Sequence, residues 1–407
     1  MKKIRKFLAL ILTMALTVAC LPLAVGAVSG AQEPLRFNKD GKFKILVATD
    51  IHEDEKDDAK SADAMALLTN AIEELKPDLV VFNGDNATAD GLENQRATIQ
   101  KIVAPVAAKN IPLAVVFGNH DLEYSGVSKE EQVKIYQEYA NCRMVAGPED
   151  ISGCGNYNLL IQNSAGTKDI FNLWFLDSGD YAEEGGYAYV QTDQIKWYEQ
   201  TSNALKAQNG GAAMPSILFQ HITVPEAYDL LEPVLLPGKG RVRGHDVYSN
   251  RFWKIKDPSN TTGTLSEGPC PPNINNGQFA SWVKQGDILG AVFGHDHVND
   301  FTGTVEGVRL IHTRAVGFKT YINGVSQGVR LITLDENNLK NFTTEMYDFA
   351  DLVGKSQSIK GFDRVSKEMW WDFGYGVLGV AAAITAYVLY RVSVSYTHLT
   401  LPTTSRV

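Results

Sequence analysis

The feature that most constrains this chain is a recurrence. Short, apolar, β-rich runs give way in turn to Asp, Asn or His. Phe43 to Thr49, Leu79 to Phe82, Leu113 to Phe117, Phe171 to Leu176, Ser216 to Phe219 and Ile288 to Phe293 each read as a buried strand. Most are followed within a few residues by a carboxylate, an amide or an imidazole. Helical stretches lie between them. In Ser61 to Lys76, for instance, Ala64, Met65, Leu68, Ala71, Ile72 and Leu75 recur at helical spacing and Pro77 ends the element. This alternation, from Phe43 to about Phe349, is the pattern of an α/β domain. Polar groups gathered where carboxyl ends of sheet strands meet mark the place where such folds hold ligands.

Composition sets outer limits. A chain of 407 residues with 44% hydrophobic and 21% charged residues suits one large domain or two small ones, and excludes disordered, collagen-like and disulfide-scaffold proteins. A net charge of -9 argues against sequence-general nucleic-acid binding, because neutralising phosphates needs clustered Lys and Arg. The longest basic cluster, Lys239-Gly-Arg241-Val-Arg243, is short and reads as a solvated loop. Leu235 to Gln278 is rich in Gly, Pro, Asn and Ser and reads as a long irregular insertion over or beside the site.

The two ends carry an address. Met1 to Lys6 is basic, Phe7 to Leu23 is apolar, and Ala24, Gly26 and Ala27 are small, the layout of a signal peptide cleaved after Ala27. Cys20 offers a lipoprotein alternative, although Thr17 stands where such signals usually have Leu. Phe373 to Tyr390 is uncharged and apolar, with Trp370-Trp371 before it and Arg391 after it, which predicts a transmembrane helix. A buried C-terminal helix is the alternative. The simplest topology is an external domain (residues 35–350) and a juxtamembrane linker (351–369), tethered by one C-terminal helix. From Val394 onward the sequence resembles one reading frame of a transposase-type sequencing adapter, so His398 is not a candidate ligand. Cys142, Cys154 and Cys270 remain, an odd number for an exported chain. Cys142 and Cys154 are close enough to close a loop, which spacing alone does not establish. No Cys-x-x-Cys is present, so a thiolate metal site is not expected.

The chemistry lies in the turns after the strands. They read Asp50-Ile-His52, Gly84-Asp85-Asn86, Gly118-Asn119-His120-Asp121, Gln220-His221 and Gly294-His295-Asp296-His297. Seven of these residues (Asp50, His52, Asp85, Asn119, His221, His295 and His297) are oxygen or imidazole donors of the kind that suits Mn, Fe or Zn. Any one motif is weak, since a single His at a strand end is more often a hydrogen-bonded structural residue. Together they are hard to explain as structure, because burying so many ionisable groups without a cation is costly.

This ordered series resembles that of the calcineurin-like metallophosphoesterases, over Phe43 to about Asp348. Gly294 to Phe301, with Phe175 to Asp180 upstream, is similar to the branch that includes fungal and plant relatives of purple acid phosphatases. In true purple acid phosphatases a tyrosine ligand follows the second-motif aspartate by three residues. Here that position is Thr88, and His52 stands where they have a non-ligand, so a purple iron–tyrosinate centre is not expected.

The resemblance implies a four-layer α/β fold, a two-sheet β-sandwich flanked by helices. It implies that Asp50, His52 and His297 hold one metal, that Asn119, His221 and His295 hold a second, and that Asp85 bridges them. Paired cations roughly 3.5–4 Å apart activate a water and clamp phosphoryl oxygens. His120 suits a general acid or a phosphate contact, with Asp121 orienting it. Asp296 faces away between two ligands, and Asn86 is a candidate phosphate contact. Glu123 and Tyr124 read as surface loop, His245 as an insertion residue and His312 as strand packing. The expected function is an exported, membrane-anchored, dinuclear metal-dependent phosphoesterase, taken as a phosphomonoesterase. The alternatives are a phosphodiesterase on nucleotides, phospholipid headgroups or cell-wall polymers, and an inert surface binding protein on the same fold. The expected partners are a phosphate-ester substrate and the membrane, with no specific nucleic acid.

Overall fold

The apolar runs become the inner strands of two stacked sheets. The computed structural model describes residues 32–399. The expected signal peptide, with Cys20, and residues 400–407 lie outside them. In chain order the strands are β1 (Leu35–Arg36), β2 (Lys42–Ala48), β3 (Leu79–Asn83), β4 (Leu113–Val116), β5 (Tyr157–Gln162), β6 (Asp169–Phe175), β7 (Ser216–Phe219), β8 (Leu231–Val234), β9 (Val242–Arg243), β10 (Phe252–Ile255), β11 (Thr261–Thr262), β12 (Ile288–Phe293), β13 (Thr302–Val305), β14 (Val308–His312), β15 (Gly328–Asp335) and β16 (Thr343–Asp348). One sheet has the order β16-β15-β2-β3-β4 and the other β1-β5-β6-β7-β12-β14-β13-β11.

Alternation along the strands builds the layers, because successive side chains point to opposite faces. Phe171, Leu173 and Phe175 of β6, Ile217 and Phe219 of β7, Val292 of β12 and Ile311 of β14 share one core with β2, β3, β4 and β15. Their neighbours Trp174, Leu218, Ala291, Phe293 and Leu310 face the other way. These pack with Tyr198 and Leu205 of the helix Thr192–Gln208 and with Phe279 and Trp282 of the helix Gln278–Gln285. On the five-stranded side the helices Ala59–Leu75 and Leu92–Ala108 bury Leu67, Leu68, Ile72, Ile99, Ile102 and Val106. The result is the helix–sheet–sheet–helix sandwich expected. The first of these helices starts where Asp58 accepts from the Lys60 and Ser61 amides and stops at Lys76, whose φ of 49° precedes Pro77.

Parallel pairing aligns the strand ends. β2, β3 and β4 run parallel in register Ala48 to Phe82 and Phe82 to Val115, so the turns after them emerge at one level. β6, β7 and β12 do the same in the other sheet, with Phe175 beside Phe219 and Phe219 beside Val292.

The insertion departs from the expectation of irregular chain. Its early part belongs to a small antiparallel sheet, β8-β10-β9, packed through Tyr228, Tyr248 and Trp253. Pro233 and the Gly-rich loops around it mask these short strands in the sequence. Cys154 is a buried free thiol, so the closure that the Cys142–Cys154 spacing allows is not made. The C-terminal helix spans Lys367–Leu399. Its apolar stretch Lys367–Leu389 is long enough to cross a membrane, and none of its most apolar window is buried. That exposure does not fit a core helix.

Candidate metal centre

The two rows of turns meet above the sheet edges, and the backbone there is strained. Asp50, His52, Asp85 and His295 have φ of 50°, 46°, 52° and 71°. The left-handed conformation costs an L-residue about 1–2 kcal/mol and persists only where its surroundings enforce it. Here the Asp50 amide donates to the Gly84 carbonyl at 2.9 Å, the His52 amide to the Asp85 carbonyl at 2.9 Å, and the Gly317 amide to the Asp50 carbonyl at 3.0 Å. Two motif glycines make room for ligands of other motifs. A Cβ on Gly84 would stand 2.3 Å from His221 Nδ1, and one on Gly118 2.3 Å from Asp85 Oδ1.

Asp50 scaffolds mainly through Oδ2 and turns Oδ1, which also accepts from the His295 amide at 3.2 Å, to the imidazoles. Its Oδ2 accepts from Thr49 Oγ1 at 2.8 Å and from the His295 amide at 3.0 Å. Its Oδ1 faces Nε2 of His297, His221 and His52 at 3.3, 3.8 and 3.9 Å. Asp85 divides its work likewise. Oδ1 accepts from the His120 amide at 2.7 Å, and Oδ2 lies 3.0 Å from His221 Nε2 and 3.5 Å from His52 Nε2. His221 is held through Nδ1, which donates to the Asn83 carbonyl at 2.9 Å, while His297 Nδ1 meets Thr320 Oγ1 at 2.7 Å. In both rings Nε2 is therefore the atom left facing the carboxylates.

Two overlapping donor groups result. Asp50, His52, Asp85 and His297 form one, and Asp85, His221 and His295 the other, with the ligand atoms of each group within 4.8 Å of one another. Asp85 belongs to both. Asn119 Nδ2 lies 3.4 Å from the Tyr181 hydroxyl, leaving Oδ1 buried without a partner. His52 Nε2, Asp85 Oδ2, His221 Nε2 and His295 Nε2 are likewise buried without an aligned hydrogen-bond partner. Each such atom costs about 1–3 kcal/mol unless something satisfies it. Four of them, on His52, Asp85, His221 and His295, lie within the two overlapping groups and fit a cation site.

The electrostatics agree. Burial pushes the Asp50 carboxyl up, but His221 and His297 outweigh it and hold the group down at about 2. Burial likewise raises Asp85, and the surrounding histidines bring it well below the usual range. Burial lowers His52 to about 4 and, with His221 adding repulsion, His295 to about 3. Burial lowers His221 too, yet Asp85 and Asp50 pull it up to about 10. The neighbouring imidazoles thus favour the ionised form of both carboxylates, the form in which a carboxylate binds a cation.

Two roles expected from the sequence are corrected by the geometry. Asp121 does not pair with His120. It is buried beneath the turns, where Oδ1 accepts from the Asn86 and Ala87 amides and Oδ2 from the Asp85 and Gly118 amides, at 2.7 to 3.2 Å. The partner of His120 Nδ1 is Glu123, one turn on, and Tyr124 stacks on the His120 ring at 5.5 Å. Asn86 is fully buried and donates to the Val116 carbonyl at 2.9 Å, so it is closed to substrate. Asp296 does turn away, accepting from the Cys270 amide at 3.1 Å, and His312 packs on Phe301 and meets Thr223 Oγ1. Thr88 bonds to Glu53 rather than entering the site. Lys129 clamps Asp177 and Asp180, an architectural role for the upstream motif.

Sequence reasoning misses a tyrosine rim. Tyr321 stacks on His297 at 4.3 Å, accepts from its amide and donates to Glu267 Oε1 at 3.0 Å. Tyr187 stands edge-on to His295 at 4.2 Å, with His245 beyond it at 5.5 Å. Nothing local in the sequence marks Tyr321 or Glu267, since each reaches the site from a different loop.

A family profile described as calcineurin-like phosphoesterase matches residues 43–299. "Probable inactive purple acid phosphatase 14" of Arabidopsis thaliana is 31% identical over 76% of this chain and 80% of its own. "Probable inactive purple acid phosphatase 29" of the same plant is 28% identical over 81% and 86%. "Phosphatase DCR2" of Saccharomyces cerevisiae is 30% identical over 67% of this chain and 47% of its own. Among solved structures, a dimetal phosphatase from Danio rerio matches 75% of this chain and 99% of its own at 13% identity and a TM-score of 0.45.

Proposed function

Because the chain belongs to the calcineurin-like phosphoesterase family, we propose that it hydrolyses a phosphate ester at a dinuclear centre held by Asp50, His52, Asp85, Asn119, His221, His295 and His297. The observation that carries this reading is the convergence of buried, unpartnered donor atoms from the ends of both sheets onto one space. Mn, Fe or Zn all suit such donors. Two ions bound there supply charge for the phosphoryl oxygens and make a water a competent nucleophile near neutral pH.

The chain's own residues supply the rest. Asp85 sets the spacing of the two donor groups, because its one carboxylate belongs to both. His120 is part-exposed beside His52, with ring centroids 5.4 Å apart. Glu123 holds His120 through Nδ1, which leaves Nε2 as the atom to pass a proton to the leaving oxygen. Tyr124, Tyr187 and Tyr321 pack on the rings of His120, His295 and His297 and hold their orientation, and Tyr181 stacks on Tyr187. A monoester is the preferred substrate and a diester the alternative. The exposed apolar C-terminal helix supports a membrane anchor.

The deciding assay uses metal-free full-length chain reconstituted separately with Mn, Zn and Fe, and given p-nitrophenyl phosphate and bis-p-nitrophenyl phosphate in parallel. Turnover abolished by Asp85→Asn supports the hydrolase, and the preferred ester separates monoesterase from diesterase. Metal bound in two equivalents without turnover of either ester would favour an inert binding protein, the reading suggested by the word "inactive" in the plant relatives' names.

A further inference from the structure

The C-terminal helix is fastened beside the metal centre. The Lys367 amide donates to Asn323 Oδ1 at 2.7 Å, and Glu368 accepts from Ser266 Oγ at 2.8 Å and Asn323 Nδ2 at 2.9 Å. Ser266 precedes Glu267, and Asn323 follows Tyr321 by two residues. Glu267 and Tyr321 are the pair that braces His297. At about 3.8 Å per residue this places the helix start on the order of 10–15 Å from a proposed ligand. From Glu368 to Phe373, where the uncharged stretch begins, a helical rise of about 1.5 Å per residue covers roughly 7 Å. That is close to the thickness of one headgroup layer, roughly 5–7 Å.

The same edge carries an apolar and basic loop. Lys239 Nζ pairs with Asp372 Oδ1 at 2.6 Å and so ties the β8–β9 loop to the helix. At its start Leu235 and Leu236 are 90% and 68% exposed. Arg241 and Arg243, the rest of the basic cluster in the sequence, are exposed next to it. Phe362 is 79% exposed, and its ring lies 6.1 Å from that of Trp370. Adjacent exposed leucines, aromatic rings and cations, continuous with an apolar helix, have the composition of a bilayer interface.

We propose that this edge lies on the bilayer, with Leu235 and Leu236 among the headgroups and Arg241 and Arg243 on anionic lipid phosphates. The metal centre then opens at headgroup level, and its substrate is a phosphate ester borne by a membrane lipid. This rests on the phosphoesterase and membrane-anchor readings above. The reaction balances as a hydrolysis. The oxygen of water bonds to phosphorus, the ester P–O bond breaks, and the lipid oxygen leaves with a proton from His120.

The test uses the full chain, in a Cys270→Ser background, reconstituted into phosphatidylcholine vesicles. An environment-sensitive fluorophore is placed at Leu235→Cys or, as control, at Lys168→Cys in the β5–β6 turn at the opposite end of β6. Lipids spin-labelled near the headgroup should quench the fluorophore at 235 and leave that at 168 unaffected. Equal quenching in a chain that floats with the vesicles overturns the proposal while the anchor stands. Leu235→Glu/Leu236→Glu should lower hydrolysis of vesicle-borne phosphatidate by about tenfold and leave p-nitrophenyl phosphate turnover within about twofold. Equal effects on the two esters overturn it. Quenching at 235 without hydrolysis of either ester keeps the bilayer surface and overturns the lipid-ester substrate together with the phosphoesterase reading.

Discussion

Asp85 is the residue on which the two donor groups depend, and its removal should be read in metal content before activity. Asp85→Asn keeps the size and the acceptor for the His120 amide but loses the charge shared by both groups. Metal retained after gel filtration should fall from two equivalents to one or none, and turnover by roughly 100-fold or more. Full metal occupancy in that variant would remove Asp85 as a bridge. His120 and its neighbours give a second prediction. His120→Ala should slow esters with poor leaving groups by roughly 10²–10⁴ and activated aryl esters far less. Glu123→Gln should show the same leaving-group bias more weakly. Asp121→Asn should instead lower stability and metal content, because four backbone amides depend on that carboxylate. All seven proposed ligands are legible as residue types in ordered turns. The Glu123 pairing is within reach as well, since residues three apart on a helical turn are neighbours. Tyr321 and Glu267 are not, because no local pattern joins loops that meet only in the folded chain.

At the scale of elements, the turns tolerate little substitution. Gly118→Ala would put a methyl 2.3 Å from Asp85 Oδ1 and 2.5 Å from the Asp85 amide nitrogen. It should destabilise by about 1–3 kcal/mol in denaturant unfolding and weaken metal binding as the second turn is pushed aside. Asp58→Ala removes the cap of the helix Ala59–Leu75 and touches none of the proposed ligands. It should cost about 0.5–2 kcal/mol with metal content unchanged. Strands that end at the site, such as β7 and β12, are legible to their observed limits, because a buried apolar run closed by a donor is a strong local signal. β15 lacks that signal. It lies antiparallel to β2, with Asp335 beside Lys42, so its carboxyl end points away from the site and carries none of the donors that mark the others. The short strands of the insertion are hidden for a different reason, since two to four residues between glycines and prolines carry too little periodicity to register.

For the whole molecule, metal and folding should be coupled. An ion that binds only the native chain adds about 2.7 kcal/mol at a free concentration 100-fold above its Kd, so chelation should lower the Tm of the native chain and leave that of Asp85→Asn nearly unmoved. Acid should act through buried imidazole. His312 is buried against Phe301, and burial pushes it down from 6.5 to about 3. The unfolded chain takes up a proton near pH 6.5 that the folded chain refuses. The stability linked to His312 is therefore complete above that pH and is lost progressively as pH falls toward about 3. In metal-free protein, the drop in denaturant midpoint between pH 7 and pH 4.5 should be smaller for His312→Gln than for the native residue. An equal drop would mean that His312 is protonated in the folded chain.

The chain by itself determined the alternation of strand and helix, the donor types and their order, and the apolar C-terminal stretch, because each is written in local composition and spacing. Tertiary structure decided the rest. Which carboxylate oxygen faces the centre, that Asp121 carries backbone while Glu123 serves His120, and that the C-terminal helix begins against Ser266 and Asn323 all depend on how the folded segments meet. Those meetings are set by strand register and by the packing of the two sheets, which no local window of sequence contains.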